Sequence, residues 1–123
     1  MTIKNLKEVL KKANKKKYAV AGLVVLGWED ALAYTQAADE LNIPVVLQAG
    51  PSCRKYTPVT ILGKMFQYLA AQTKTHIVCH VDHGYTFNEC LEGIDNGFSS
   101  VMFDGSKLSI KENIKLTSLI VKR

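Results

Sequence analysis

Among the segments of this 123-residue chain, Thr75-His-Ile-Val-Cys-His-Val-Asp-His-Gly84 most narrows what it can fold into. Ile77, Val78, Cys79 and Val81 are apolar on both phases of a strand's alternation. A strand built from them must be covered on both faces, which is the condition of a parallel sheet flanked by helices. Polar groups gather only at its carboxyl end, as His80, Asp82 and His83. In a regular strand His80 and Asp82 share one face and His83 takes the other. For Asp82 and His83 to serve one site the strand must break near residue 82, and Gly84 is free to make that turn.

The rest of the chain repeats the pattern. Apolar runs at about 18–25, 44–49, 76–82 and 99–104 predict four strands, and periodic segments at about 29–41, 59–72, 86–96 and from 109 onward predict the helices that follow them. Pro44 opens the second strand and Gly97 follows a helix, both at positions these residues commonly punctuate. Four strand–helix units in succession imply a parallel α/β sheet or barrel, in which chemistry collects at the carboxyl ends of the strands. No linker, low-complexity tract or composition shift interrupts them, so residues 1–123 read as a single structural unit.

The formal charge of +5 is a local feature. Seven of the lysines lie in residues 1–17 against Glu8 alone, and the remaining charges nearly balance. Leu6, Val9, Leu10 and Ala13 recur among those lysines at helical spacing, which predicts an amphipathic helix over the base of the sheet with its lysine face in solvent. Neither aromatic interleaving nor a recognition motif accompanies the lysines, which argues against a nucleic-acid partner. With 47% hydrophobic and 22% charged residues, the composition is that of a soluble globular unit. No apolar run approaches the roughly 18 to 20 residues of a membrane span. The opening MTIKNLKEVLKK lacks the apolar stretch of about 7 to 15 residues that a secretory signal needs, so the expected location is the cytoplasm. Cys53, Cys79 and Cys90 form an odd set without C-x-x-C, which favours reduced, buried thiols over a disulfide framework or a zinc ribbon.

The end of the third strand places a candidate metal ligand, His83, beside a candidate general acid/base, Asp82. Imidazole suits Zn²⁺, and catalytic zinc commonly takes three protein ligands and keeps one position open. From spacing alone a structural histidine is an equal reading of His83, and a turn or helix cap is an equal reading of an aspartate near a glycine. Asp104 closes the fourth strand in the same way, with a cap for the following helix as its alternative. His76 lies at the strand entrance and reads as structural. Other chemistries lack their residues. No predicted strand contains the lysine a Schiff-base aldolase requires. Val78 stands where an H-x-H-x-D-H hydrolase would need histidine, and neither G-x-G-x-x-G nor G-x-x-x-x-G-K-[ST] occurs.

Taken in order, Tyr18-Ala-Val20, Glu29, Pro44-Val-Val-Leu-Gln48, Tyr56, His80-Val-Asp-His-Gly84, Gly97-Phe-Ser-Ser-Val-Met-Phe-Asp104, Glu112-Asn113 and Thr117 resemble the class II, zinc-dependent fructose-bisphosphate and tagatose-bisphosphate aldolases. The resemblance implies a TIM (β/α)₈ barrel of roughly 250 residues or more, of which this chain is the amino-terminal (β/α)₄ half preceded by its helix. It implies a lyase that cleaves fructose 1,6- or tagatose 1,6-bisphosphate reversibly to dihydroxyacetone phosphate and glyceraldehyde 3-phosphate. In that reaction zinc polarises the ketone and an aspartate, here Asp82, takes the proton of the C4 hydroxyl. His83 matches one of three zinc ligands, the other two lying beyond this chain. Asp104 matches a ligand of a second, mobile divalent metal, and His80 is expected to hold Asp82 or a ligand in place.

The departures from the family pattern bear on the substrate. Leu23-Val24 replaces Phe-Asn, removing an amide near the metal. Gly50 replaces a serine that contacts substrate, with Ser52 as its displaced substitute. The phosphate-binding loops fall in the missing half, so the chain by itself is expected to be inactive. A non-catalytic binding or regulatory relative and an inactive fragment are the rival readings. Strands one and four would be open edges, which predicts association with another copy or with the remainder of the barrel.

Overall fold

The structure, a computed structural model, describes residues 3–123. The elements are α1 (Leu6–Lys16), β1 (Ala21–Val24), α2 (Trp28–Leu41), β2 (Val45–Ala49), α3 (Pro51–Tyr56), α4 (Val59–Ala71), β3 (Ile77–Gly84), α5 (Phe87–Asp95), β4 (Ser100–Phe103) and α6 (Ile110–Val121). The four strands form one sheet in the order β1-β2-β3-β4, and every pairing is parallel. This is the predicted half-barrel arrangement, with β1 and β4 as its edges.

Side chains separate by strand phase, as the apolar runs require. Val45, Leu47, Ala49, Ile77, Cys79 and Val81 pack outward against Ala31 and Ala38 of α2 and Leu62, Phe66 and Leu69 of α4. On the opposite phase Val46 and Val78 meet Val9 of α1. The first helix therefore closes the inner face at the amino ends of the strands. It is anchored there by Lys4 N–H, which donates to the Ile77 carbonyl at 3.0 Å. Asn5 caps it, accepting from Glu8 N–H at 2.9 Å, and Lys17 ends it in the left-handed region at φ 58°. Val9 and Ala13 are buried as expected, whereas Leu10, assigned to the same apolar face, is 45% exposed.

Three further differences from the sequence reading have local causes. β1 is shorter than the 18–25 run, because the chain leaves a left-handed cap at Lys17 and joins the β2 ladder only from Ala21. The segment after β2 is the helix α3, whose signal is Pro51 at its first turn, where the missing N–H costs nothing. β3 runs two residues past its expected end, to Gly84. Close approaches fix the helices against the sheet. A Cβ on Gly93 of α5 would stand 2.4 Å from Val81 Cγ2, and one on Gly63 of α4 would stand 2.2 Å from the Asn96 carbonyl oxygen.

All three cysteines are free and buried, and burial pushes the Cys79 thiol up to about 12. Among the described residues no helix is long and apolar enough to cross a membrane.

Candidate active site

The carboxyl end of β3 is where the sheet becomes irregular. β2 pairs with β3 as far as Ala49↔Val81. β4 pairs at Val81↔Val101 and next at Gly84↔Phe103, so β3 carries one residue more than its partner across this interval. That is a β-bulge, a device that re-aims side chains at the end of a strand. The break falls where the sequence requires it, but Gly84 is not the residue that turns. His83 itself takes the left-handed conformation, at φ 52°, at a cost of roughly 1 to 2 kcal/mol for an L-residue. Gly84 is needed for space instead, since a Cβ there would stand 2.7 Å from Cys90 Sγ.

The bulge brings Asp82 and His83 to one place. His83 Nε2 lies 3.8 Å from Asp82 Oδ1, and His83 Nδ1 lies 2.8 Å from Asp104 Oδ2 at the end of β4. Hydrogen bonds from Ser106 and from His83 hold the Asp104 carboxyl down to about 2. It is therefore ionised at neutral pH and accepts a hydrogen bond from Nδ1–H. The tautomer of neutral His83 is thereby fixed, and the Nε2 lone pair is left free beside Asp82. A carboxylate bound to one imidazole nitrogen while the other faces outward is the arrangement of a metal-ligating histidine, so the donor set fits Zn²⁺. Among the described residues no group of three or more His, Cys, Asp or Glu is placed to hold a metal ion, so these residues do not by themselves make a metal site.

The other predicted residues fall around this pair. His80 is 7% exposed, and its Nδ1 bonds Ser100 Oγ at 2.8 Å. This hydrogen bond joins β3 to β4 beside the strand end that carries Asp82 and His83. Burial lowers the His80 pKa, with the Asp82 charge opposing, which favours a neutral ring. Gly50 does border the site, since a Cβ there would lie 3.7 Å from Asp82 Oδ2. Ser52 is an exposed residue in the first turn of α3. Val24 ends β1, half exposed, and His76 Nδ1 is buried without a hydrogen-bond partner among the described residues.

Arg54 escaped the sequence reading. Its side chain is 8% exposed and reaches from α3 to the carbonyl oxygens of Ala49, Asp82 and His83 and to the Glu89 carboxylate. No side-chain pattern announces such a residue, because three of its four partners are backbone atoms.

This bulged His-Val-Asp-His end, paired with an aspartate on the next strand, coincides with a match to known proteins along nearly the whole chain. Residues 4–123 match the model of the family described as fructose-bisphosphate aldolase class-II. The chain belongs to this family. A fructose-bisphosphate aldolase of Treponema pallidum is 38% identical over 120 residues, covering 92% of this chain and 36% of that protein. A 6-phospho-5-dehydro-2-deoxy-D-gluconate aldolase of Halalkalibacterium halodurans is 35% identical over 124 residues, covering 98% of this chain and 43% of that protein. The crystal structure of the YdjI aldolase from Escherichia coli K12 superposes with a TM-score of 0.89 at 26% identity, covering 98% of this chain and 47% of that one. The chain thus spans less than half the length of these aldolases, and its strands correspond to part of the fold of the solved one.

Proposed function

We propose that this chain forms the amino-terminal half of a class II aldolase barrel in the cytoplasm, and that the completed barrel cleaves a phosphorylated ketose reversibly between C3 and C4. The convergence of Asp82, His83 and Asp104 at the carboxyl ends of β3 and β4 carries this reading. The substrate we assign is fructose 1,6- or tagatose 1,6-bisphosphate, with dihydroxyacetone phosphate and glyceraldehyde 3-phosphate as products. Its class is supported by the relatives' names, which specify fructose-bisphosphate in one case and a 6-phospho sugar acid in the other.

Each residue then has a task. His83 offers Nε2 as one zinc ligand, held in the required tautomer by Asp104. Bound zinc would supply a Lewis acid for the ketone oxygen. Asp82 takes the proton from the C4 hydroxyl as the C3–C4 bond breaks and the aldehyde product departs, and returns a proton in the reverse direction. Asp104 orients His83 and is available to a second divalent ion, while His80 ties the two strands that carry these groups. Gly50 leaves room beside Asp82 for the substrate, and we assign to Ser52, exposed in α3, the substrate contact of the serine that Gly50 replaces.

A second reading, a non-catalytic relative that binds a phosphorylated sugar, is favoured by one observation: Gly50 presents no hydroxyl beside Asp82. One assay separates the two. The chain is joined to a carboxyl-terminal half-barrel from a class II relative and tested for zinc-dependent, chelator-sensitive cleavage of both bisphosphates. The aldolase reading expects cleavage by the completed barrel and none by the 123-residue chain. A completed barrel that binds zinc and substrate without turnover would establish the second reading.

A further inference from the structure

The β3 bulge creates a problem that the sheet does not solve. β2 ends its pairing at Val81, and the β4 register skips from Val81 to Gly84. The carbonyls of Asp82 and His83 are therefore left outside both ladders. Buried carbonyls in native proteins nearly always find a donor. Here the donor is one side chain. Arg54 Nη1 donates to Asp82 O at 2.6 Å and Nη2 donates to His83 O at 2.9 Å. Nη1 also donates to Ala49 O at the end of β2, and Nη2 reaches Glu89 Oε2 at 3.3 Å. Glu89 in turn accepts Tyr85 N–H at 3.1 Å, so the chain is held on both sides of the left-handed His83.

We propose that Arg54 is a positioning residue for the Asp82–His83 pair: its buried guanidinium replaces the sheet hydrogen bonds that the bulge gives up, and so fixes the directions in which the two side chains leave the backbone. The planar fork is essential. It serves two successive carbonyls at once, which a lysine ammonium on a single flexible stem cannot do with the same geometry. Arg54 touches neither Asp82 nor His83 through their side chains. Its effect passes through the backbone at the one non-glycine residue of the site with positive φ. The Glu89 carboxylate pairs with the guanidinium at Nη2, 3.3 Å away.

This inference rests on the aldolase reading only for its consequence in catalysis, and its structural part is tested without activity. In the histidine-labelled chain, nitrogen NMR should report His83 as the Nδ1–H tautomer, because Asp104 accepts from Nδ1. Arg54→Met should turn that signal into a mixture of tautomers while the β2 and β3 amide resonances persist. Arg54→Lys should do the same in smaller measure. Glu89→Gln, which leaves Arg54 in place, covers the case in which Arg54→Met fails to fold, and should shift His83 in the same direction. In the completed barrel Arg54→Lys should lower kcat by about 10²-fold, the scale of a small misplacement, with KM within about threefold. An unchanged His83 tautomer in the folded Arg54 variants, or in Glu89→Gln if those do not fold, overturns the proposal. A tautomer that follows Arg54 in a completed barrel without lyase activity upholds the positioning role and removes the aldolase reading instead.

Discussion

Asp104 Oδ2 and His83 Nδ1 lie 2.8 Å apart across the ends of two neighbouring strands, and this single hydrogen bond decides which nitrogen His83 can offer to a metal. It also predicts a pH dependence. Hydrogen bonds from Ser106 and His83 lower the Asp104 carboxyl from 3.8 to about 2. The unfolded chain therefore takes up this proton first as pH falls, so the contribution to stability is complete above 3.8 and disappears on the way to 2. Urea midpoints of the wild type and Asp104→Asn should differ most at about pH 6 and converge at the acid end. A gap independent of pH would mean that the carboxylate is not held in its ionised form.

Asp82 and His83 should fail in different ways in the completed barrel. Asp82→Ala removes the proposed acid/base and should lower turnover by roughly 10² to 10⁴ with zinc content nearly intact. His83→Ala removes the proposed zinc ligand, so metal content and activity should fall together, with partial recovery in excess zinc. Metal analysis beside steady-state kinetics checks both. Full zinc content in His83→Ala would take that residue out of the coordination shell.

Gly84→Ala should destabilise the chain by about 1 to 3 kcal/mol, the usual cost of overpacking, because the new methyl would meet Cys90 Sγ at 2.7 Å. Most of that cost should vanish in a Cys90→Ala background, where the opposing atom is gone. Denaturant unfolding of the four combinations measures the coupling. Strictly additive effects would locate the strain elsewhere.

Gly50→Ser should fold at least as well as the wild type. Gly50 caps α3 with φ −73° and ψ 170°, a conformation open to any residue, and serine is the better cap. Its Cβ would sit in ordinary contact, 3.7 Å from Asp82 Oδ2. In the completed barrel the added hydroxyl should lower KM for the ketose bisphosphate. A raised KM would show that the open space at Gly50 is itself used by the substrate.

The sheet was legible because its strands are apolar on both phases: β2 and β4 fall within one residue of their predicted ends. The principal helices were equally legible from their periodicity. α3 was not, since six residues are too few for a helical period to emerge. At the site, residue types announced Asp82, His83 and Asp104, and the need for a break announced the bulge. Which residue turns was hidden. Gly84 is the obvious candidate by conformational freedom, but Cys90 claims its missing side chain as packing space, and the turn falls to His83. Arg54 was invisible for a related reason, because its partners are carbonyls that every sequence possesses. Leu10 kept the right spacing on a helix whose buried stripe is narrower than the apolar pattern.

Each strand pairs with the strand that follows it in the sequence, so no pairing waits for a segment made later than the next strand, and the sheet is able to assemble in the order of its synthesis. Within that order the His83–Asp104 bond is late, since it waits for β4 to dock on a β3 already laid against β2. The tautomer of His83 is thereby tied to the maturity of the chain: a nascent polypeptide that stops short of Asp104 carries Asp82 and His83 but not the carboxylate that accepts from Nδ1–H.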